Sequence, residues 1–107
     1  AYNQLGLLYR RTGRFEESKK AYRQAITLDS DYTMPYLNMG ILCDIYLQDF
    51  TCAIEYFEKY KLLAPAQAEK TEGWLTDIKR RAGIPEPAAV AETATPEAAA
   101  PAEESVQ

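Results

Sequence analysis

Histidine is absent from this chain of 107 residues, and cysteine occurs only twice, as Cys43 and Cys52. Without histidine, imidazole acid–base catalysis is excluded. Two cysteines alone also fall short of a structural zinc site, which takes four Cys or His ligands. No glycine-rich phosphate loop and no nucleophile elbow occurs. The carboxylates of Glu16, Glu17, Glu55, Glu58, Glu69 and Glu72 fall at helical positions where exposed charge is ordinary. The chain does not read as an enzyme, and no cofactor, metal or small-molecule substrate is expected. The two cysteines read as buried or half-buried thiols. A disulfide across a helical hairpin is the alternative, and it needs an oxidising compartment and suitable geometry.

Long apolar runs are also missing, since none approaches the roughly 18 residues of a membrane span. Basic residues stop at Arg81. Up to Gly83 the chain carries 12 basic and 11 acidic residues, whereas the remainder has five acids and no base. A near-neutral body followed by an acidic end offers no clustered positive charge for phosphates, so nucleic acid is not an expected partner. Composition divides the chain at the same place. Residues 1–83 are expected to form one folded unit. Residues 84–107, nearly all Ala, Pro, Glu, Thr and Val, are expected to be a disordered tail, because they bring too little apolar surface to offset ordering entropy.

Within residues 1–83, apolar side chains recur every three or four positions, the spacing of amphipathic helices. Tyr2, Leu5, Leu8 and Tyr9 mark a first helix, broken at Gly13. Phe15, Ser18, Tyr22, Ala25 and Ile26 mark a second, followed by a capping turn at Asp29-Ser30-Asp31. A third carries Tyr36, Met39, Cys43 and Tyr46, with Pro35 tolerated in its first turn. Phe50, Ala53, Ile54, Phe57 and Tyr60 mark a fourth, and Trp74, Leu75, Ile78 and Ala82 a fifth, closed by Gly83. No segment alternates as a strand does. The expected fold is all-α, with tandem antiparallel helical hairpins and a C-terminal capping helix.

The two hairpins are copies. Tyr2, Leu5 and Gly6 match Tyr36, Met39 and Gly40 at an offset of 34. Phe15, Ser18, Tyr22 and Ser30 match Phe50, Ala53, Phe57 and Pro65 at an offset of 35. One extra residue must lie between the third and fourth helices. The stretch Ile45-Tyr46-Leu47-Gln48-Asp49 is its expected place, giving a longer turn.

A period near 34 with this order of aromatic, Leu, Gly, aromatic, small, aromatic, small and Pro resembles the tetratricopeptide repeat family over about residues 1–65. The second copy departs at Cys43, where an aromatic is usual, at the inserted residue, and at Tyr60, where Ala is usual. The segment from Glu72 to Arg81 is similar to the ending of many bacterial proteins of that family. It reads as a cap with Lys79, Arg80 and Arg81 turned to water. The resemblance implies a superhelix whose concave face, lined by the first helix of each hairpin, binds another protein or peptide segment. Carried onto this chain, the ligand-facing positions are Asn3, Leu7, Arg10 and Arg11, then Leu37, Asn38, Ile41, Asp44 and Ile45. Of these, Leu37, Ile41 and Ile45 form a second apolar stripe, which is either a groove floor or a packing surface. Clamping of a terminal carboxylate is disfavoured, because Leu7, Leu37 and Ile41 stand where that task needs polar groups. The alternative function is the structural end of a longer solenoid that mediates self-association. The chain starts inside a helix and reads as a piece of a longer protein. Such repeats occur in the cytoplasm and the cell envelope of bacteria, with the envelope favoured.

Overall fold

The structure, a computed structural model, describes residues 1–84. The tail assigned to residues 84–107 lies outside the described residues, Ile84 apart.

Among the described residues, five α-helices follow one another: α1 (Tyr2–Arg11), α2 (Phe15–Leu28), α3 (Met34–Ile41), α4 (Phe50–Leu63) and α5 (Ala68–Arg81). A π-helical stretch, Leu42–Leu47, continues α3, and a single 3-10 turn, Pro65–Gln67, precedes α5. Each boundary has a local cause. Glu16 and Glu17 occupy the first turn of α2, where helix-dipole charge favours acids. Pro35 sits in the first turn of α3, where its missing N–H costs nothing. Asp49 caps α4 by accepting the Cys52 backbone N–H at 3.2 Å. Lys79, Arg80 and Arg81 end α5, at its negative pole.

Helices α1 and α2 form one hairpin, and α3 with α4 the other. Helix α2 packs on α3, and α4 on α5. The glycines permit the closeness within each hairpin. A Cβ at Gly6 would lie 2.5 Å from the Tyr22 ring, and one at Gly40 would lie 2.6 Å from the Phe57 ring. The matched pairs thus do the same job twice. Between the hairpins and α5 runs one cluster that includes Tyr22, Met39, Leu42, Phe57, Leu75 and Ile78. Burying a side chain of this size contributes about 1.5–3 kcal/mol. Trp74 is buried in the same cluster, its ring 5.7 Å from that of Phe57.

Several sequence expectations need correction. The extra residue does not lengthen the turn. Gly13 and Gln48 match at an offset of 35, and both have left-handed backbone, with φ of 81° and 52°. The insertion therefore falls after Gly40, inside the helix, and the π-helical stretch is how the helix absorbs it. The register of side chains shifts as a result. Leu42 and Asp44 turn inward, and Tyr46, expected in the core, is 43% exposed. Finally, α1 buries Asn3, Gly6, Leu7 and Arg10, so its Tyr2–Leu5–Leu8–Tyr9 face lies on the outside.

Cys43 and Cys52 are joined as a disulfide, with their Cα atoms 5.8 Å apart. The reading as two separate thiols is thereby corrected. The bond ties the π-helical stretch to the first turn of α4.

Candidate functional site

The nine positions expected to face a ligand separate by burial. Asn3, Leu7, Arg10, Leu37, Asn38, Ile41 and Asp44 are buried, whereas Arg11 and Ile45 are exposed. The buried set is engaged inside the chain. Asn38 Nδ2 donates to Asn3 Oδ1 at 3.1 Å, a polar link from α3 to α1. Asn3 Nδ2 in turn donates to the Tyr32 hydroxyl at 3.4 Å. Leu37 and Ile41 belong to the cluster that holds Trp74, Leu75 and Ile78. Their stripe is a packing surface at those two positions, and only its third member, Ile45, is open at 48% exposure.

Asp44 explains the difference. Its carboxylate accepts from Arg81 Nη1 at 2.9 Å and from Nη2 at 3.2 Å, a bidentate pair that closes α5 onto the π-helical stretch. Arg81 also donates through Nε to Asp77 at 2.9 Å. The hydrogen bonds to Asp44 hold the Arg81 guanidinium above its ordinary pKa despite some desolvation, and Asp77 adds to this. Arg81 was expected to point to water, and the structure instead gives it a buried partner. Lys79 likewise lies 3.6 Å from Glu58 on α4.

What remains open on this side of the molecule is a short edge. Ile45 and Tyr46 stand next to each other at the end of the π-helical stretch. The Tyr46 ring rests 5.5 Å from the Phe15 ring, and the Arg10 guanidinium lies 5.2 Å from its centroid. Both neighbours limit the ring's freedom, so less ordering entropy remains to be lost on contact. Across the turn, the Arg81 guanidinium lies 5.7 Å from the Phe50 ring. Aromatic and arginine side chains held in place in this way are common anchors of protein interfaces. Tyr46 was not among the expected ligand-facing residues. The count of one extra residue carried the signal, but spacing alone does not say that it turns Tyr46 outward.

A family model for the tetratricopeptide repeat matches residues 1–32, which span α1, α2 and the turn after them. The first hairpin is thus similar to a tetratricopeptide repeat. Repeats of this kind generally mediate protein–protein interactions and are typically non-enzymatic. Neither the curated proteins nor the solved structures gave a match. The second hairpin shows the glycine–aromatic contact of the first, Gly40 with Phe57 in place of Gly6 with Tyr22.

Proposed function

We propose that this repeat pair is an interaction scaffold that binds a segment of another protein at the edge formed by Ile45 and Tyr46. The supporting observation is that Ile45 and Tyr46 stand exposed together, at 48% and 43%, on a π-helical stretch whose other residues are mostly buried. π-Helical segments are frequent at functional sites, because the inserted residue re-aims side chains without unravelling the helix. The remaining expected positions act indirectly. Leu37, Ile41 and Asp44 hold α5 and the π-helical stretch in place, while Asn3 and Asn38 fix the spacing of the two hairpins. The partner's contribution is an apolar anchor that covers Ile45 and stacks on Tyr46. A disulfide persists in oxidising compartments, which supports an envelope or extracellular setting.

The test begins with a photoreactive amino acid at position 45, used to capture the partner covalently for identification by mass spectrometry. Binding of that partner is then measured with Ile45→Asp and Tyr46→Ala. Loss of at least about tenfold in affinity, with an unchanged melting curve, is expected for removal of an interface anchor. Unchanged affinity in both variants would place the contact elsewhere.

A further inference from the structure

The loop closed by the Cys43–Cys52 bond contains the whole open edge, since Ile45 and Tyr46 lie between the two cysteines. It also contains the residue that sets the second hairpin apart from the first. In the first hairpin the Arg14 N–H donates to the Tyr9 carbonyl, and in the second the Asp49 N–H donates to the Cys43 carbonyl, both at 2.8 Å. Tyr9 matches Cys43 at an offset of 34, whereas Arg14 matches Asp49 at an offset of 35. The extra residue therefore falls between Cys43 and Asp49, inside the disulfide loop.

The segment has two ways to accommodate that residue. It is wound into the helix in the π-helical stretch. Passed instead to the turn, it would leave an α-helix that ends as α1 does. π-Helical winding is rare, so the form present here needs support from outside the helix. Two ties supply it. The Asp44–Arg81 pair reaches the stretch from α5, and the disulfide reaches it from the first turn of α4. A cross-link acts mainly by restricting the looser of two states. The wound stretch with its tight turn is the more ordered form and the longer turn the looser one, so the bond favours the π-helical form. Access to the bond is one-sided. Cys43 is fully buried beside Met39 and Leu42, whereas Cys52 is half-buried at the start of α4. An incoming thiolate meets Cys52 first.

We propose that the Cys43–Cys52 bond is a redox latch on the Ile45–Tyr46 edge, opened by a dithiol reductant. The proposal rests on the reading of that edge as the binding site. One thiolate of the dithiol attacks Cys52 Sγ. The sulfur–sulfur bond breaks, and its electron pair leaves with Cys43 Sγ, which takes a proton from water. The second thiolate of the dithiol attacks the mixed disulfide and releases Cys52, which is protonated in turn. Two electrons pass to the chain, and the dithiol becomes a disulfide. With the bond open, the extra residue passes to the turn. Tyr46 then leaves the Phe15 ring and the Arg10 guanidinium, which lie 5.5 and 5.2 Å from its own ring in the closed form. A partner must now order an edge that was previously held ready, and its affinity falls.

The experiment compares the full chain oxidised, reduced with dithiothreitol and reoxidised, well below its melting temperature. Nuclear Overhauser contacts between the Phe15 and Tyr46 rings are recorded by NMR. They should vanish on reduction and return on reoxidation, while contacts between the Tyr22 ring and Gly6, which lie against each other in the first hairpin, persist. Affinity for the partner captured at position 45 should fall at least about tenfold on reduction and recover on reoxidation. Cys52→Ser cannot close the bond and should match the reduced chain under oxidising conditions. Phe15–Tyr46 contacts that survive reduction overturn the latch. So does loss of the Tyr22–Gly6 contacts along with them, because the chain would then unfold as a whole. Equal partner affinity in both states, with Ile45→Asp still weakening binding, overturns it as well. If Ile45→Asp and Tyr46→Ala both leave binding unchanged, the edge reading has failed, and the ring contacts, read without a partner, still decide whether the latch exists.

Discussion

The two hairpins begin from one pattern and are held together by different means. In the first, Ser18 Oγ donates to the Gly6 carbonyl at 2.8 Å, and the chain turns at Gly13, which takes positive φ without cost. In the second, Ala53 stands in place of Ser18 and cannot make that bond, while the turn residue is Gln48. A disulfide and a side-chain cap from Asp49 are found there instead. The second hairpin thus carries an extra residue, a left-handed non-glycine and a lost hydrogen bond, together with a covalent tie. Local weakness and local bracing coincide where the exposed Ile45 and Tyr46 lie.

The sharpest test separates the two ends of the stripe on α3 and the π-helical stretch. Ile41→Glu should cost about 3–5 kcal/mol, since it buries a charge with no partner. Ile45→Glu, four residues on, should change stability by no more than about 1 kcal/mol. Chemical denaturation of both variants measures this. Equal losses would mean that Ile45 is packed in solution.

Reduction of the Cys43–Cys52 bond acts on the second hairpin alone. The residues lie nine apart, and closing so short a loop is worth about 2–3 kcal/mol by chain entropy. Denaturation with and without a dithiol should show that loss. Hydrogen exchange should rise first at residues 42–52, with the first hairpin little affected. A uniform rise would show that the hairpins open as one unit.

Ser18→Ala is the matching cut in the first hairpin. It removes a buried hydrogen bond and should cost about 1–2 kcal/mol. Ala53→Ser, the reciprocal change, should recover part of the stability lost on reduction, provided its hydroxyl reaches the Gly40 carbonyl. No recovery would indicate that the π-helical stretch has moved that carbonyl away.

The turns give a smaller effect of opposite sign. Gln48→Gly should stabilise by about 0.5–1 kcal/mol, because relief of the left-handed backbone exceeds the entropy cost of glycine. Gly13→Gln should destabilise by a similar amount. Thermal melts of the two variants, read together, decide whether the turns are equivalent.

Much of the fold was legible before any coordinates. Helical spacing marked all five helices, and the two offsets paired Gly6 with Gly40 and Tyr22 with Phe57, since close helix contact demands a small residue opposite a ring. The inserted residue could be counted but not placed. A longer turn and a π-helical stretch both satisfy an offset of 35, and only backbone hydrogen bonding distinguishes them. Gly13 and Gln48 have no side-chain chemistry in common, so their equivalence shows only in the left-handed backbone they share. The site was less legible. Positions carried over from a family presuppose which neighbours are present, and here Leu37 and Ile41 are closed into the cluster that also holds Trp74, Leu75 and Ile78, with α5 locked in place by Asp44 and Arg81. The pairing of two residues 37 apart leaves no mark in helical periodicity.

The smallest expected effect concerns the ring that meets Gly6. The hydroxyl of Tyr22 is buried and makes no hydrogen bond of regular geometry, and burial raises its pKa above the usual value for tyrosine, with Arg10 and Ser18 nearby offsetting part of the rise. Its counterpart in the second hairpin is Phe57, which has no hydroxyl at all. Tyr22→Phe keeps the ring against Gly6 and removes only the unsatisfied group, so stability at neutral pH should stay within about 1 kcal/mol of wild type or rise slightly. The pH dependence carries the sign. Because the folded-state pKa is raised, unfolded Tyr22 ionises first. Its contribution is fully present below the unfolded value, near pH 10, and is lost as pH rises towards the folded one. Melts of wild type and Tyr22→Phe from pH 8 to 11 should therefore coincide at the low end and diverge above about pH 10, with the variant the more stable. Curves that stay parallel would mean that the hydroxyl reaches water or a partner in solution, and the two hairpins would then be closed by rings in the same chemical state.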